Sequence, residues 1–378
     1  MGKWKTCTIA DLGTVVGGAT PSTKKPENYD GGTIAWITPK DLAGFSGRFI
    51  SHGERNITEI GLNSCSAKMM PRHSVLFSSR APIGYVAIAK NEVCTNQGFK
   101  SVVPNEDTDY MFLYYLLMNN RHNIEHMGSG TTFKEVSGKT MRSIEVRVPE
   151  SRDEQIRISS MLSAIDDKIE ENERINKNLE QQASTIYQAW FEDYIPFDGI
   201  CPAEWEKGVL YDISKIISGK RPPMKSAEKT DIATIPLVGA SSVMGFTSEA
   251  NHTDKILVTG RVGTHGIVQR LNTPCWTSDN TLVITSDLYE YTYQILQRID
   301  YHAINRGSTQ PLITQGDMNK VAILIPDQQT LDDFEVLVGQ LMLQYEANLL
   351  ENAKLAELRD ALLPKLMSGE IDVSDIDL

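Results

Sequence analysis

The side chains of this sequence are better spaced for hydrogen bonding than for covalent chemistry. Ser137-Gly138-Lys139-Thr140 has the ending of a phosphate-binding loop, yet the glycine such a loop needs five positions before Gly138 is Phe133. No HExxH, GxSxG or dinucleotide-type glycine turn occurs. The seven histidines are dispersed, and a lone imidazole such as His265 is more often a surface or core residue than a catalyst. Cys7, Cys65, Cys94, Cys201 and Cys275 lack CxxC or Cys/His spacing, which argues against zinc and a disulfide framework and for reduced, mostly buried thiols. No catalytic residue and no metal ligand is therefore assigned. What remains are short polar clusters on loops, rich in paired donors and acceptors: Ser78-Ser79-Arg80, Thr95-Asn96-Gln97 and Thr131-Thr132-Phe133-Lys134 in the first half. Their counterparts in the second are Thr259-Gly260-Arg261, Thr264-His265, Thr277-Ser278-Asp279-Asn280 and Ser308-Thr309-Gln310.

The clusters recur because the chain is written twice. Trp4, Asp11, Gly18 and Pro21 return as Trp205, Asp212, Gly219 and Pro222, each 201 positions later. Arg80 is matched to Arg261 at an offset of 181, and Tyr114, Arg121, Gly130, Thr132 and Pro149 to Tyr291, Arg298, Gly307, Thr309 and Pro326 at 177. A duplication of this size presents two similar surfaces, which suits a binder of something with paired sites. Each copy opens with β-rich runs, 33–37 and 74–77 against 234–238 and 255–258, punctuated by glycines and Pro82 as in α+β domains with functional loops. Helical stretches at 110–126 and 289–304 follow, then last strands at 144–148 and 321–325.

Beyond Pro149 and Pro326 the apolar period changes from two to three and a half. In the first helix Ile158, Leu162, Ile165, Ile169, Asn172, Asn176, Leu179, Ala183, Ile186 and Trp190 keep a four-three spacing. Phe334, Val338, Leu341, Tyr345, Asn348, Asn352, Leu355, Arg359, Leu362 and Leu366 repeat it at an offset of 176. Such a seam is a coiled coil, and asparagines inside it set register at some cost in stability. The expected fold is α+β: two similar globular domains, 1–150 and 194–326, separated by two long antiparallel helices, 151–193 and 327–378, with pseudo-two-fold symmetry. A helix from about Glu154 to Phe191 is roughly 55 Å long at 1.5 Å per residue, enough to act as a spacer.

The net charge of −12 is unevenly distributed. Residues 1–150 carry 17 basic against 14 acidic side chains and 194–326 carry 12 against 13, whereas 151–193 carry 5 against 10 and 327–378 carry 3 against 12. The acidity belongs to the helices, so a local basic face remains open to the globular parts although the pI of about 5.2 denies a strong electrostatic footprint. No apolar run approaches the roughly 20 residues of a bilayer span and the N-terminus lacks a signal peptide's apolar stretch, so a cytoplasmic protein without a membrane partner is expected.

This architecture resembles the specificity subunit of type I restriction-modification enzymes. The segments 362–371 (LLPKLMSGEI) and 188–194 (QAWFEDY) carry the likeness, with the tryptophan-containing starts at Trp4 and Trp205. The resemblance implies two target-recognition domains that each read half of a bipartite double-stranded DNA site, with the helices setting the spacer. It further implies two methyltransferase (M) subunits clasping the helices and restriction/translocase (R) subunits joining them. Catalysis with S-adenosylmethionine, ATP and Mg belongs to those partners, and no cofactor to this chain.

Base reading needs paired donors or acceptors on loops that enter a groove. The candidates are Ser78, Arg80, Asn96, Gln97, Thr132 and Lys134 in the first copy and Arg261, Thr264, His265, Ser278, Thr309 and Gln310 in the second. Lys24, Lys25, Lys220 and Arg221 could meet phosphate or simply keep the surface soluble. Ile165, Ile169, Asn172, Asn176 and Leu179, with Leu341, Tyr345, Asn348, Asn352 and Leu355, are assigned to the helical seam and partner docking. The competing reading is a non-catalytic adaptor whose two domains bind proteins across a coiled-coil spacer.

Overall fold

The computed structural model describes residues 3–80, 82–129, 134–307 and 312–373, so the candidates Thr132, Thr309 and Gln310 lie outside the described residues. Two compact units emerge, Met1–Glu173 with Leu349–Leu378, and Arg174–Asn348, so each contains a share of both long helices.

In the first unit the order is β1 (Trp4–Thr8), α1 (Ile9–Leu12), β2 (Gly13–Gly17), β3 (Trp36–Ile37), α2 (Pro39–Leu42), β4 (Phe49–Ile50), α3 (Glu59–Asn63), β5 (Val75–Phe77), β6 (Val86–Ala89), β7 (Cys94–Thr95) and β8 (Lys100–Pro104). Then come α4 (Tyr110–Asn119), α5 (Arg121–His126), α6 (Gly138–Ser143), β9 (Glu145–Pro149) and the long α7 (Arg152–Phe191). A five-stranded sheet runs β2-β8-β5-β6-β4, with the small pairs β1-β9 and β3-β7 beside it. The helical stretch expected over 110–126 is broken at Asn120, whose side-chain amide donates to Leu116 O (2.8 Å) and so competes with the helix.

The second unit repeats this plan. It has β10 (Glu206–Val209), β11 (Lys215–Ser218), β12 (Ile235–Val238), β13 (Val243–Thr247), β14 (Ile256–Gly260), β15 (Val268–Leu271), β16 (Trp276–Thr277), β17 (Thr281–Thr285), α8 (Tyr289–Arg298), α9 (Gln315–Asn319), β18 (Ala322–Ile325) and α10 (Gln328–Ser368). Its main sheet runs β11-β17-β14-β15. Here the stretch expected over 289–304 ends at Arg298, because Ile299 turns extended and the Asp300 carboxylate takes the amides of His302 and Ala303 into a turn.

Strand pairing sets the true correspondence between copies. Val75 pairs with Val102 and Leu257 with Ile284, Ser78 bridges Phe99 as Gly260 pairs with Thr281, and Arg80 bridges Glu135 as Val262 bridges Leu312. Arg80 therefore corresponds to Val262, and Arg261 to Ser79, one residue away from the match read off the sequence. The faces agree: Val75 and Phe77 join the core that includes the α7 residues Ile158 and Leu162, and Leu257 joins the core with Tyr187 and Phe334, while Leu76, Ile256 and Val258 face the opposite side. Since side chains alternate along a strand, a slip of one residue inverts every assignment of face.

Within each unit the helical segments run antiparallel. In the first, Arg359 Nη1 donates to Asp166 Oδ1 (2.9 Å) and Asn172 Nδ2 to Asn352 Oδ1 (2.8 Å). In the second, Asn348 Nδ2 donates to Asn176 Oδ1 (2.8 Å) and Tyr187 meets Phe334 edge-on. Leu179 is buried, and Ile165, Ile169, Leu341, Tyr345 and Leu355 are half-buried. Neither globular part closes its core alone: Leu363, Leu366 and Met367 complete the first, and Ala183, Phe191, Leu331 and Val338 the second. Each of these leucine, methionine, phenylalanine and valine side chains, fully buried, is worth about 1.5–3 kcal/mol.

Each sheet also grips its helix through a buried arginine. The Arg48 guanidinium bonds Glu170 (Nε to Oε1, 2.8 Å) and pairs with Asp167, and Arg270 pairs with Glu290 (2.5 Å) and Glu346 (3.1 Å). Glu170 and Glu346 occupy the same helical position, 176 residues apart, but Arg270 stands on β15 where β6 has Ile88, and Arg48 precedes β4. The two copies thus reach one contact from different strands.

Candidate nucleic-acid interface

In the first unit, four chain segments far apart in sequence meet at one edge of the sheet. Gly18 packs so closely that a Cβ there would strike the carbonyl oxygens of Thr95 and Asn96, which lets Ala19 N donate to Thr95 O (3.0 Å) and Trp36 Nε1 to Ala19 O (3.1 Å). The segment 18–25 is thereby laid beside 95–98, where Thr20 Oγ1 donates to Gln97 Oε1 and Asn96 Oδ1 takes the Gly98 amide (2.8 Å). Ser79 N donates to Gly98 O (2.7 Å), and Val136 N to Ser79 O (2.9 Å), adding the residues around Ser79 and around Val136.

The candidates meet different fates at this edge. Ser78 is fully buried; its hydroxyl donates to Pro82 O (2.8 Å) and accepts from Tyr85 N (2.8 Å), so it shapes the turn and presents nothing outward. Arg80 is exposed and lies 3.0 Å from Glu135 Oε2. Gln97 and Lys134 are exposed, and Asn96 is half-buried with its carbonyl used locally. Lys24 and Lys25 stand exposed on the neighbouring loop.

The second unit builds the same edge from the same backbone contacts. Gly219 packs against Ser278 O, Lys220 N donates to Thr277 O (3.0 Å), Arg261 N to Asn280 O (2.8 Å) and Ile313 N to Arg261 O (2.9 Å). Arg261 is half-exposed and has no side-chain partner among the described residues. Thr264, Lys220 and Arg221 are exposed. Ser278 is only 3 % exposed and turned inward, which removes it from the surface. His265 stacks on Tyr301 (centroids 6.1 Å apart) beside His302, with its Nε2 buried, so its ring packs the loop.

Several residues at these edges escaped the sequence reading. Glu135 takes both Arg80 and Lys100. Arg306 pairs with Asp317, and Asn305 Oδ1 gathers the amides of Gly307 (2.9 Å) and Leu312 (2.8 Å). Burial pushes the Asp317 carboxyl up, but hydrogen bonds from Thr314 and the Arg306 guanidinium outweigh it and hold the carboxyl below its usual range. Thr20 had a signal in the repeated glycine-proline loop; Glu135 and Lys100 had none, being distant in sequence and joined only by the sheet. Among the described residues no group of three or more His, Cys, Asp or Glu is placed to hold a metal ion, and no helix is long and apolar enough to cross a membrane.

Two copies of one loop edge, each built on its own sheet and helical segments, find their counterpart among known proteins. The family described as "Type I restriction modification DNA specificity domain" matches residues 1–181 and again 202–359, and the chain belongs to that family. The MjaIX type I restriction enzyme specificity subunit of Methanocaldococcus jannaschii is 36% identical over 413 residues, covering 99% of this chain and 94% of that one. The EcoR124I/EcoR124II specificity subunit of Escherichia coli is 29% identical over 171 residues, covering 43% of this chain and 41% of its own. The type I system S subunit from M. genitalium shares the fold at a TM-score of 0.60, with 17% identity over 97% of this chain and 96% of that one. The protein is a type I restriction-modification specificity subunit with two target-recognition domains.

Proposed function

We propose that each loop edge reads one half of a bipartite sequence in double-stranded DNA, that the paired helices set the gap between halves, and that they dock two methyltransferase subunits. Restriction/translocase subunits join that assembly in the cytoplasm, and methyl transfer, ATP hydrolysis and cleavage take place in the partners with S-adenosylmethionine, ATP and Mg. One observation carries the reading: an identical backbone ladder displays different side chains in the two copies, Gln97 against Asp279, Arg80 against Val262 and Glu135 against Leu312. A fold that repeats its frame and varies its outward groups is suited to reading two different sequences. Exposed Lys24, Lys25, Lys134, Lys220, Arg221 and Thr264 around the edges supply phosphate contacts that position the duplex.

The helices suit proteins better than DNA. Their excess of carboxylates repels phosphate. Meanwhile α10 exposes Val336 (64 %) and Leu343 (65 %), seven residues apart on a face turned away from its seam. The test is to reconstitute the full chain with its methyltransferase partner and map the methylated bases. A two-part motif is expected, together with a changed gap when matching heptads are deleted from both helices. Methylation without sequence preference would refute the reading, as would salt-insensitive capture of proteins in place of duplex DNA.

A further inference from the structure

The first domain places an ionic cluster where the second has none. Arg80 Nε lies 3.0 Å from Glu135 Oε2 and Lys100 Nζ lies 3.4 Å from Glu135 Oε1. In strand register these three positions correspond to Val262, Leu312 and Leu282. The second domain forms the same bridge with aliphatic side chains, so the charges are not needed to build the fold. They call for a role at the surface.

Geometry narrows that role. Arg80 pairs with Glu135 on its Nε side, its side chain is 46% exposed, and among the described residues its two Nη groups have no other partner. A guanidinium paired on that side turns its two Nη groups outward as donors in one plane, the arrangement that guanine O6 and N7 accept in the major groove. A phosphate approaching the same end would meet the Glu135 carboxylate beside it, a repulsion weaker at an exposed lysine such as Lys134. Resting on the half-site reading above, we infer that Arg80 reads a guanine in the half-site of the first domain and that Glu135 is its positioning residue. The corresponding residue of the second domain, Val262, makes no such contact, and Arg261 leaves the chain one residue earlier, on the other face.

The experiment uses the full chain assembled with its methyltransferase partner, a library of duplexes, and sequencing of the methylated sites. Arg80→Gln and Glu135→Ala are expected to lower the preference for guanine at one position of one half-site by about 5- to 150-fold, the range one bidentate contact supplies. Glu135→Gln, which keeps an acceptor opposite Nε, retains most of that preference. Arg261→Gln leaves this half-site as it was. The inference is overturned if the half-site altered by Arg80→Gln contains no guanine in the wild type. It is equally overturned if Arg80→Gln weakens methylation evenly over all sequences with a shallower salt dependence, or if Glu135→Ala degrades the whole half-site together with the melting temperature. A wild-type complex showing no two-part motif would defeat the half-site reading itself, which keeps the two failures apart.

Discussion

Replacing Arg270 with methionine tests whether the sheet-to-helix grip in Arg174–Asn348 is electrostatic. The Arg270 side chain is 5 % exposed and neutralises Glu290, which is 3 % exposed, at 2.5 Å; Glu346, 14 % exposed, lies 3.1 Å away. Removing one partner of a buried ion pair typically costs about 3–5 kcal/mol, because the remaining charge is left desolvated. Lys255, 3.4 Å from Glu290, stays behind and offsets part of that loss, and methionine fills the space of the aliphatic stem, so the lower end applies: about 3 kcal/mol. At roughly 2–4 °C per kcal/mol for a unit of this size, the transition should fall by about 6–12 °C. The double variant Arg270→Met/Glu290→Gln removes both charges and should recover to within about 1 kcal/mol of the wild type. Calorimetry and denaturant titration of the four proteins in the cycle measure the coupling directly. A single-variant loss below about 1 kcal/mol, or a double variant whose loss equals the sum of the singles, would refute the argument.

Three further outcomes follow from particular contacts. Gly18→Ala forces a Cβ into the carbonyls of Thr95 and Asn96, so it should cost roughly 1–3 kcal/mol and blur one half-site while sparing the other, as read by methylation mapping. Asn176→Ala strips Asn348 of its acceptor in a buried seam and should destabilise by about 1–3 kcal/mol in denaturant melts, whereas Asn176→Leu with Asn348→Leu should recover stability and loosen helix register, visible as altered spacing between methylated bases. For acid stability, burial raises the Glu170 carboxyl, but the Arg48 hydrogen bonds and charge outweigh it and leave it lowered. A depressed folded value means the contribution is present above the ordinary carboxylate pKa of about 4.3 and is lost as the pH falls through the lower folded value. Melting temperature measured from pH 6 downward should therefore fall less in Glu170→Gln than in the wild type, and parallel curves would count against this assignment.

Much of the architecture was legible because it is written in local patterns. The duplication, the strands around 75 and 257, and the two helices are carried by repeated residue types and by the change of apolar period from two to three and a half; α7 was expected from about Glu154 to Phe191 and runs Arg152–Phe191. The repeated Gly18 and Gly219 could be spotted from sequence, though the carbonyls that require them could not. Of the candidate readers, residue type alone did not separate Arg80, Gln97 and Lys134, which are exposed, from Ser78 and Ser278, which turn inward. All are polar residues on similar loops, and which way each points depends on a strand register that alternates every residue.

What the sequence determined by itself is therefore the repeated plan and the type of each element, since periodicity and duplication are properties of neighbours along the chain. Tertiary structure alone decided that Arg80 answers to Val262, that Glu135 joins Arg80 to Lys100, and that Arg48 and Arg270 reach matching glutamates from different strands. Those pairings are non-local. A charge finds its partner by where the sheet brings it, and nothing in its own flanking residues encodes that distance.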